Sequence, residues 1–417
     1  MTADPGTVIQ VATPTFRVEI AVRDEDAQKL ADRRDIYAMI ADPLNALLKT
    51  GMSISDDELF GNAICQELGD VDGRRTRQEL AGRIPGLRAF VSRDLPEAGG
   101  PLVLTGDPGE GVVEYLGVGT GLALVDRLLT LDSSYFRRIP ELRGKGRKTL
   151  DFDGCFRAST GRAYVQVEAK GRTDSKNAEA AWKDIDEKKA AFRAGIAPAR
   201  PASTPLPADA PTYLIGTVAD IPLGRPGITR VVIGDPPIPS FDGDPQRAKL
   251  LQRLRFYQRA LSAFQPRGAL LAALSERIGN LERPGIEWQK YDSQPIVNWR
   301  LEKWELGAAI AATVRISRND QIHGRSVYSA KAPREQDMSP ATAASSPFFF
   351  IGLHRAVLLA LARQDFEEIA DARYPQRHIR VAIDDADRTL FQLPSGLVVS
   401  SLMDAQRSLP ESGTAPS

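Results

Sequence analysis

Two short runs of strand-forming residues, joined by a glycine turn, bring two acids and a lysine close together in this chain. The first run, residues 148–154, contains Asp153, and the second, residues 165–171, contains Glu168 and Lys170. Because side chains alternate between the two faces of a strand, Glu168 and Lys170 are predicted to share one face, with the valines on the other. Charged groups on a buried strand are costly unless they bind something charged. The pattern therefore predicts a site for a divalent metal ion and a phosphate group.

The charge of the chain is balanced overall but uneven along its length. The 54 Lys and Arg residues equal the 54 Asp and Glu residues, so no overall positive field attracts nucleic acid. Residues 137–193, however, contain 15 Lys and Arg against 9 Asp and Glu. This local positive excess surrounds the acid and lysine residues and favours an anionic ligand there.

Cysteine and histidine are too sparse to form a standard zinc site or a disulfide framework. The chain has two cysteines, Cys65 and Cys155, and three scattered histidines. Its hydrophobic fraction of 42% is typical of a globular protein. No apolar signal-peptide region and no long apolar run is present, so we expect a cytoplasmic protein with no membrane association.

With 417 residues, the chain is long enough for two or three domains. The expected fold class is α/β, because helical and strand-like patterns alternate through the middle of the chain. The predicted organisation is an N-terminal α/β region (1–104), an α/β core (105–240), a helical segment (241–284), a C-terminal α+β region (285–407) and a disordered tail (408–417).

Hydrophobic spacing predicts the main helices and strands. Predicted helices cover residues 26–48, 56–68, 114–130, 176–194 and 244–281, the last one broken near Pro266 and carrying a basic face, with another apolar helix at about 348–362. Predicted strands cover residues 16–22, 212–218, 229–233, 304–316, 378–383 and 390–399. Pro- and Ala-rich residues 196–211 are predicted to form an exposed loop.

The acids and the lysine resemble the active-site pattern of the PD-(D/E)xK nuclease superfamily. In that family an acid at the end of one strand precedes an acid-x-Lys triplet on the next strand, which Asp153 and Glu168-Ala169-Lys170 match. The Asp153-Gly154 pair is similar to the Mrr-like branch. The resemblance covers at most residues 111–233. It implies a restriction-endonuclease-like mixed sheet flanked by helices, with the N-terminal and C-terminal regions as additions.

The resemblance also implies a role for each matching residue. Asp153 and Glu168 would be metal ligands for Mg²⁺ or Mn²⁺, and Lys170 the catalytic cation. Asp151 is the alternative first acid, since strand phase does not separate it from Asp153. Glu114, on the helix before this strand, is a candidate additional metal ligand.

Three further residues are candidates for contacting nucleic acid. Gln166 lies two residues before Glu168 on the same predicted face. Lys176 and Lys183 lie on the following predicted helix, which flanks the site in the family. Each of them also has the simpler interpretation of a packed or solvated surface residue.

The predicted function is a metal-dependent endonuclease that acts on DNA in preference to RNA. The balanced charge favours a regulated enzyme, such as a bacterial restriction or antiviral defence effector, with a protein partner or a homo-oligomeric assembly. The alternative is a catalytically inactive module of the same fold that binds nucleic acid or protein. A minor alternative, an adenine methyltransferase, follows from the glycine-rich residues 117–121 and from Asp235-Pro236-Pro237.

Overall fold

The computed structural model describes two β-sheets and the helices that pack on them. The described residues are 9–11, 15–34, 36–67, 95, 99–106, 111–132, 136–138, 150–158, 161–173, 178–193, 212–224, 226–234, 245–264, 268–282, 312–315, 321–328, 348–383 and 386–400. Within these ranges the protein is mixed α/β, as the sequence predicts.

The strands and helices are numbered here in chain order. The strands are β1 (Ile9–Val11), β2 (Phe16–Val22), β3 (Met52–Ile54), β4 (Arg137–Arg138), β5 (Phe152–Ala158), β6 (Gly161–Arg172), β7 (Thr212–Asp220), β8 (Arg230–Gly234), β9 (Ala312–Arg315), β10 (Gln321–Tyr328), β11 (Phe348–His354), β12 (Arg377–Ile383), β13 (Ala386–Gln392) and β14 (Leu397–Ser400). The helices are α1 (Asp24–Asp32), α2 (Ile36–Thr50), α3 (Asp56–Glu67), α4 (Val112–Leu129), α5 (Ala178–Arg193), α6 (Pro245–Phe264), α7 (Ala269–Glu282), α8 (Arg355–Arg363) and α9 (Phe366–Asp371).

The first sheet, called the mixed sheet below, has the strand order β3-β2-β8-β7-β6-β5-β4. The pairs β2–β8 and β6–β7 are parallel, and the other neighbours are antiparallel. Strands β6 and β7 are parallel neighbours, so the chain between them must cross over, and α5 lies in that connection. The strands predicted at 16–22, 212–218 and 229–233 are confirmed.

Helices cover the two faces of the mixed sheet where β6 and β7 pair. On one face, a Cβ added to Gly121 of α4 would lie 3.0 Å from the Ala169 side chain. On the other face, a Cβ added to Gly216 of β7 would lie 2.8 Å from Trp182 of α5. Gly216 is the register partner of Glu168. Helix α5 therefore covers the face that carries Glu168, and α4 covers the opposite face.

Two of the strands from the first hundred residues, β2 and β3, belong to the same sheet as the central strands. β2 pairs with β8, and β3 pairs with β2. The short strand β1 instead pairs with β12 of the second sheet. The division of the chain at residue 104 stays a prediction, although the mixed sheet includes strands from both sides of it.

The second sheet is antiparallel throughout, with the order β1-β12-β13-β14-β11-β10-β9. Two predictions are wrong here. Residues 390–399 are not one strand, because β13 ends at Gln392 and a turn through Gly396 leads into β14. Residues 348–362 are not one helix, because the aromatic run at their start forms strand β11. Aromatic residues favour strands, and short apolar runs do not distinguish strand from helix by periodicity.

His354 marks the change from strand to helix. Its Nδ1 accepts a hydrogen bond of 3.2 Å from the backbone N–H of Ala356, which caps the first turn of α8. His354 and Arg355 therefore lie at the start of α8 and not in the middle of a longer helix.

The predicted break between the helices α6 and α7 is confirmed, but the predicted basic face of α6 is wrong for two of its residues. Lys249 forms an ion pair of 2.5 Å with Asp371. Arg253 is fully buried and donates hydrogen bonds to the carbonyl oxygens of Ile369 and Ala372 at 2.9 and 2.6 Å. The positive charges of Lys249 and Arg253 are therefore used in contacts within the protein and are not available to a ligand.

Polar contacts connect strand β12 and the segment before it to two helices, α3 and α4. His378 of β12 lies 2.5 Å from Asp57 of α3, and both side chains are almost fully buried. Arg373 forms an ion pair of 3.0 Å with Asp126 of α4. The second sheet is thus anchored to the helices that pack on the mixed sheet.

None of the helices within the described ranges is long and apolar enough to cross a lipid bilayer.

Candidate active site

Strand β6 carries a buried glutamate at the centre of a charged cluster. Glu168 is fully buried, as are its neighbours Val167 and Ala169. Lys170 lies on the same face of the strand, and its Nζ is 2.5 Å from Glu168 Oε1. The predicted pairing of Glu168 and Lys170 on one face is confirmed. The alternation that buries the apolar residues on α4 is the same one that directs these charges toward α5.

The structure brings Asp151 into this cluster. The β5–β6 register pairs Phe152 with Val167, which places Asp151 at the position opposite Glu168. Asp151 is half-buried, and its Oδ1 is 3.7 Å from Lys188 Nζ, which also contacts Glu168 Oε1. Asp151 and Glu168 therefore share one lysine.

Asp153 lies two residues further along β5. Its backbone pairs with Gln166 on one side and with Arg137 on the other. The Asp153 side chain is outside the described part of the structure, so its role as the first acid stays a prediction. The described contacts place Asp151, the alternative first acid, beside Glu168.

Helix α5 contributes two residues to the cluster that sequence analysis did not identify. Lys188 contacts both carboxylates, and Asp184 Oδ2 lies 3.5 Å from Lys170 Nζ and 3.8 Å from Lys188 Nζ. Asp184 and Lys188 are four residues apart, so they lie on the same side of the helix. This spacing of four residues, next to the apolar residues Ala181 and Ile185, is the sequence pattern that could have identified Asp184 and Lys188. In the structure Ala181 and Ile185 are buried and face the sheet.

The two lysines predicted to contact nucleic acid are not part of the described cluster. Lys183 is exposed on α5. It directly precedes Asp184, and adjacent residues of a helix do not face the same way. Lys176 precedes the helix and is outside the described residues. The structure places Lys188, and not Lys183, against Glu168.

Gln166 and Glu114 have different surroundings. Gln166 is buried on the same face of β6 as Glu168, at the position that pairs with Asp153. Glu114 is exposed in the first turn of α4, the helix that covers the opposite face of the sheet. Among the described contacts, none joins Glu114 to the cluster, and its role as a metal ligand stays a prediction.

The electrostatics of the cluster are unbalanced at Glu168. Both lysines contact its Oε1, whereas Oε2 is buried and has no hydrogen-bond partner among the described residues. Burial raises the pKa of Glu168, and the neighbouring charge of Asp151 raises it further, against the opposing effect of the two lysines. A negative charge on Glu168 is therefore incompletely compensated in this arrangement.

Lys170 is held in its charged form. Burial would lower its pKa, but Glu168 and Asp151 outweigh burial, and the pKa of Lys170 is raised. A lysine with a raised pKa is a permanent cation at neutral pH. It can stabilise a negative charge or orient a water molecule, but it is not suited to accept a proton.

The carboxylate oxygen atoms of the cluster are of the chemical type that binds a hard divalent cation. Two carboxylates, those of Asp151 and Glu168, both contact Lys188, and one oxygen atom of Glu168 is buried with no hydrogen-bond partner in the described part of the chain. Carboxylate oxygens are the ligands that Mg²⁺ and Mn²⁺ prefer. Among the described side chains no group of three or more His, Cys, Asp or Glu residues is arranged to hold a metal ion. Mg²⁺ commonly needs only one or two protein carboxylates, because it keeps several water molecules.

The glycine-rich residues 117–121 lie inside α4 and do not form a loop. A Cβ at Gly117 would overlap the backbone of Gly171, and its distance to the carbonyl carbon of Lys170 would be 2.5 Å. These glycines allow α4 to pack closely on β6, which is the simpler interpretation of the motif. The Asp235-Pro236-Pro237 motif is outside the described residues.

Comparison with protein-family models, with curated proteins and with solved structures found no match to this chain in any of the three.

Proposed function

We propose that this protein is a metal-dependent nuclease that hydrolyses phosphodiester bonds, with DNA favoured over RNA as the substrate. The observation that carries the proposal is the buried Glu168, whose Oε2 has no hydrogen-bond partner among the described residues. Its Oε1 contacts the charged Lys170 and also Lys188, which it shares with a second carboxylate, Asp151. A purely structural ion pair between Glu168 and a lysine does not need a second acid, Asp151, whose negative charge disfavours ionisation of Glu168. A site that binds a divalent cation and a phosphate does.

Each residue of the cluster has a distinct task in this proposal. Glu168 and Asp151 would hold Mg²⁺ or Mn²⁺, with Asp153 as the alternative to Asp151. When bound, such an ion polarises the scissile phosphate and lowers the pKa of a coordinated water molecule. Lys170 stays protonated and stabilises the negative charge that develops on the phosphate oxygens. Gln166, buried two residues before Glu168, would help position the carboxylates.

The balanced overall charge supports a regulated enzyme over a scavenging nuclease. Non-specific affinity for DNA comes from the neutralisation of phosphates by Lys and Arg. In this chain two of the basic residues of α6, Lys249 and Arg253, form internal contacts. We therefore propose a cytoplasmic effector, of the kind used in bacterial restriction or antiviral defence, that depends on a protein partner or on homo-oligomerisation for DNA capture.

One observation favours a second candidate, a catalytically inactive module of the same fold. Both Lys170 and Lys188 contact the same oxygen of Glu168, so the cluster already contains two positive charges. A non-catalytic protein could keep these contacts as a polar network that fixes α5 on the sheet. Such a module would bind nucleic acid or a protein partner without cutting.

A cleavage assay with matched variants separates the two candidates. Purified protein is incubated with plasmid DNA, single-stranded DNA and RNA, in Mn²⁺, in Mg²⁺ or in EDTA. We expect metal-dependent cleavage that falls by about 100-fold or more in Glu168→Gln and in Lys170→Met, because each change removes charge from the reacting site. Lys49→Met, at an exposed position near the end of α2, is the control and should cleave normally.

The same assay identifies the first acid. If Asp151 is the ligand, Asp151→Asn loses activity while Asp153→Asn keeps most of it, and the reverse pattern assigns Asp153. Circular dichroism spectra show whether each variant is folded. Equal cleavage by the wild type, Glu168→Gln and Lys170→Met would refute the catalytic assignment, and so would inactivity of the folded wild type on every substrate in both metals.

A further inference from the structure

Lys188 occupies the position between the two candidate metal ligands. Its Nζ contacts Glu168 Oε1 and lies 3.7 Å from Asp151 Oδ1. Lys170, the other cation, reaches Glu168 Oε1 and Asp184 from β6. Among the described residues, Lys188 is thus the cation that ion-pairs with both carboxylates.

A divalent ion and the Lys188 ammonium would compete for the same two carboxylates. Asp151, Glu168 and Asp184 contribute three negative charges, and Lys170 and Lys188 contribute two positive ones, which leaves one net negative charge. A divalent ion held by Asp151 and Glu168 would approach the Lys188 ammonium within a few ångströms. Like charges at such a distance repel strongly in a partly buried site.

Lys188 has an alternative partner on its own helix. Asp184 precedes it by four residues, and its Oδ2 lies 3.8 Å from Lys188 Nζ. The Asp184 side chain is more exposed than Glu168, at 38% against 0%. A small rotation of the long lysine side chain would therefore move the ammonium away from the sheet and toward Asp184 and solvent, without leaving it unpaired.

We propose that Lys188 is a regulatory counter-ion of this site, which competes with the divalent metal for Asp151 and Glu168. In the metal-free protein the Lys188 ammonium stabilises the carboxylates of the buried Glu168 and the half-buried Asp151. Metal binding displaces it toward Asp184, where it becomes available to a phosphate of the substrate. This inference rests on the proposed function, because it assigns a mode of control to the same carboxylates.

Direct measurement of metal affinity tests the competition without relying on cleavage. Mn²⁺ is titrated into the full chain by isothermal calorimetry, for the wild type, Lys188→Met, Lys188→Gln and the control Lys183→Met. We expect both Lys188 variants to bind Mn²⁺ about tenfold more tightly or better, because a competing positive charge has been removed. The control should bind like the wild type. Unchanged or weaker Mn²⁺ binding in folded Lys188 variants overturns the proposal.

A second measurement uses the wild type alone, so it does not depend on whether the variants fold. Lysine side chains are labelled by reductive methylation with and without saturating Mg²⁺, and each site is quantified by mass spectrometry. Displacement predicts that labelling of Lys188 rises several-fold with Mg²⁺ while that of the exposed Lys183 does not change. Labelling of Lys188 that stays constant or falls contradicts the inference.

Failure of this inference is distinct from failure of the proposed function. A wild type that cleaves DNA with metal, but whose Lys188 variants bind Mn²⁺ unchanged, refutes the competition and leaves the nuclease intact. A wild type that neither binds Mn²⁺ nor cleaves any substrate refutes both.

Discussion

The close approach of α4 to β6 gives a sharp test of how the fold positions Lys170. Gly171 follows Lys170 directly, and a Cβ added to it would lie 2.8 Å from the carbonyl carbon of Val113 in α4 and closer still to the carbonyl oxygen. Real Cβ atoms essentially never approach other heavy atoms within 3.0 Å. The change Gly171→Ala therefore forces the helix and the strand apart.

The size of the effect follows from these distances. To relieve the overlap, the strand and the helix must separate by roughly 1 Å, and the atoms involved are backbone, which has little freedom to move in a packed core. We expect a loss of about 2 to 3 kcal/mol in the free energy of unfolding, the upper range for overpacking. If Lys170 acts in cleavage as proposed, a displacement of this size should also reduce cleavage by about 100-fold, since catalysis depends on placement within about 1 Å.

The matched control is the same substitution at Gly279. This glycine lies exposed within α7, and a Cβ added to it meets nothing within 4 Å. Gly279→Ala should stabilise the protein by about 0.5 to 1 kcal/mol, because alanine favours a helix over glycine. Urea unfolding gives both stabilities, and the cleavage assay gives both activities. A Gly171→Ala variant as stable and as active as the wild type would show that the contact between α4 and β6 does not position Lys170.

Two further predictions concern buried charges outside the site. Burial, with a smaller contribution from Asp57, raises the pKa of Asp56 from 3.8 to about 7, so the stability of the wild type should fall as the pH rises through about 7. Asp56→Asn removes this loss of stability. Urea unfolding from about pH 4 to about pH 8 should therefore show the free energy of unfolding of the variant rising relative to that of the wild type as the pH increases. Parallel pH profiles of the two proteins would contradict the assignment. Arg253→Met leaves the buried Asp132 without the guanidinium 3.5 Å away, and it should lower the free energy of unfolding by about 3 to 5 kcal/mol. The exposed Arg363→Met is its control and should change stability by no more than about 0.5 kcal/mol, so equal effects of the two substitutions would argue against a buried charge network.

The central elements of the fold follow from local sequence patterns. The alternation of apolar and polar residues from Val165 to Lys170 predicts a strand with one polar face that carries Glu168 and Lys170, and β6 has that arrangement. The helical periodicity of residues 114–130 predicts α4 to within about two residues, as expected for helix ends. These patterns can be recognised because they depend only on neighbours along the chain.

Patterns failed where the same residues suit two structures or where a charge is used internally. By periodicity, the aromatic run that starts at Phe348 is compatible with either a helix or a strand. It forms a strand because it pairs with β10 and β14. Arg253 was expected on an exposed basic face, because a one-dimensional pattern does not show that carbonyl groups of α9 and the residue after it accept its hydrogen bonds. In both places, partners at least 20 residues away in sequence determine the outcome.

The sequence by itself determined that Glu168 and Lys170 share one face of a strand, since strand geometry fixes which way alternate residues point. Only the tertiary structure decided which other charges join them. The register of β5 on β6 brings Asp151 opposite Glu168, and the packing of α5 on Gly216 brings Lys188 between the two acids. Register and helix packing depend on the whole sheet and its buried side chains, so the charges that surround Glu168 are a property of the fold and not of the motif.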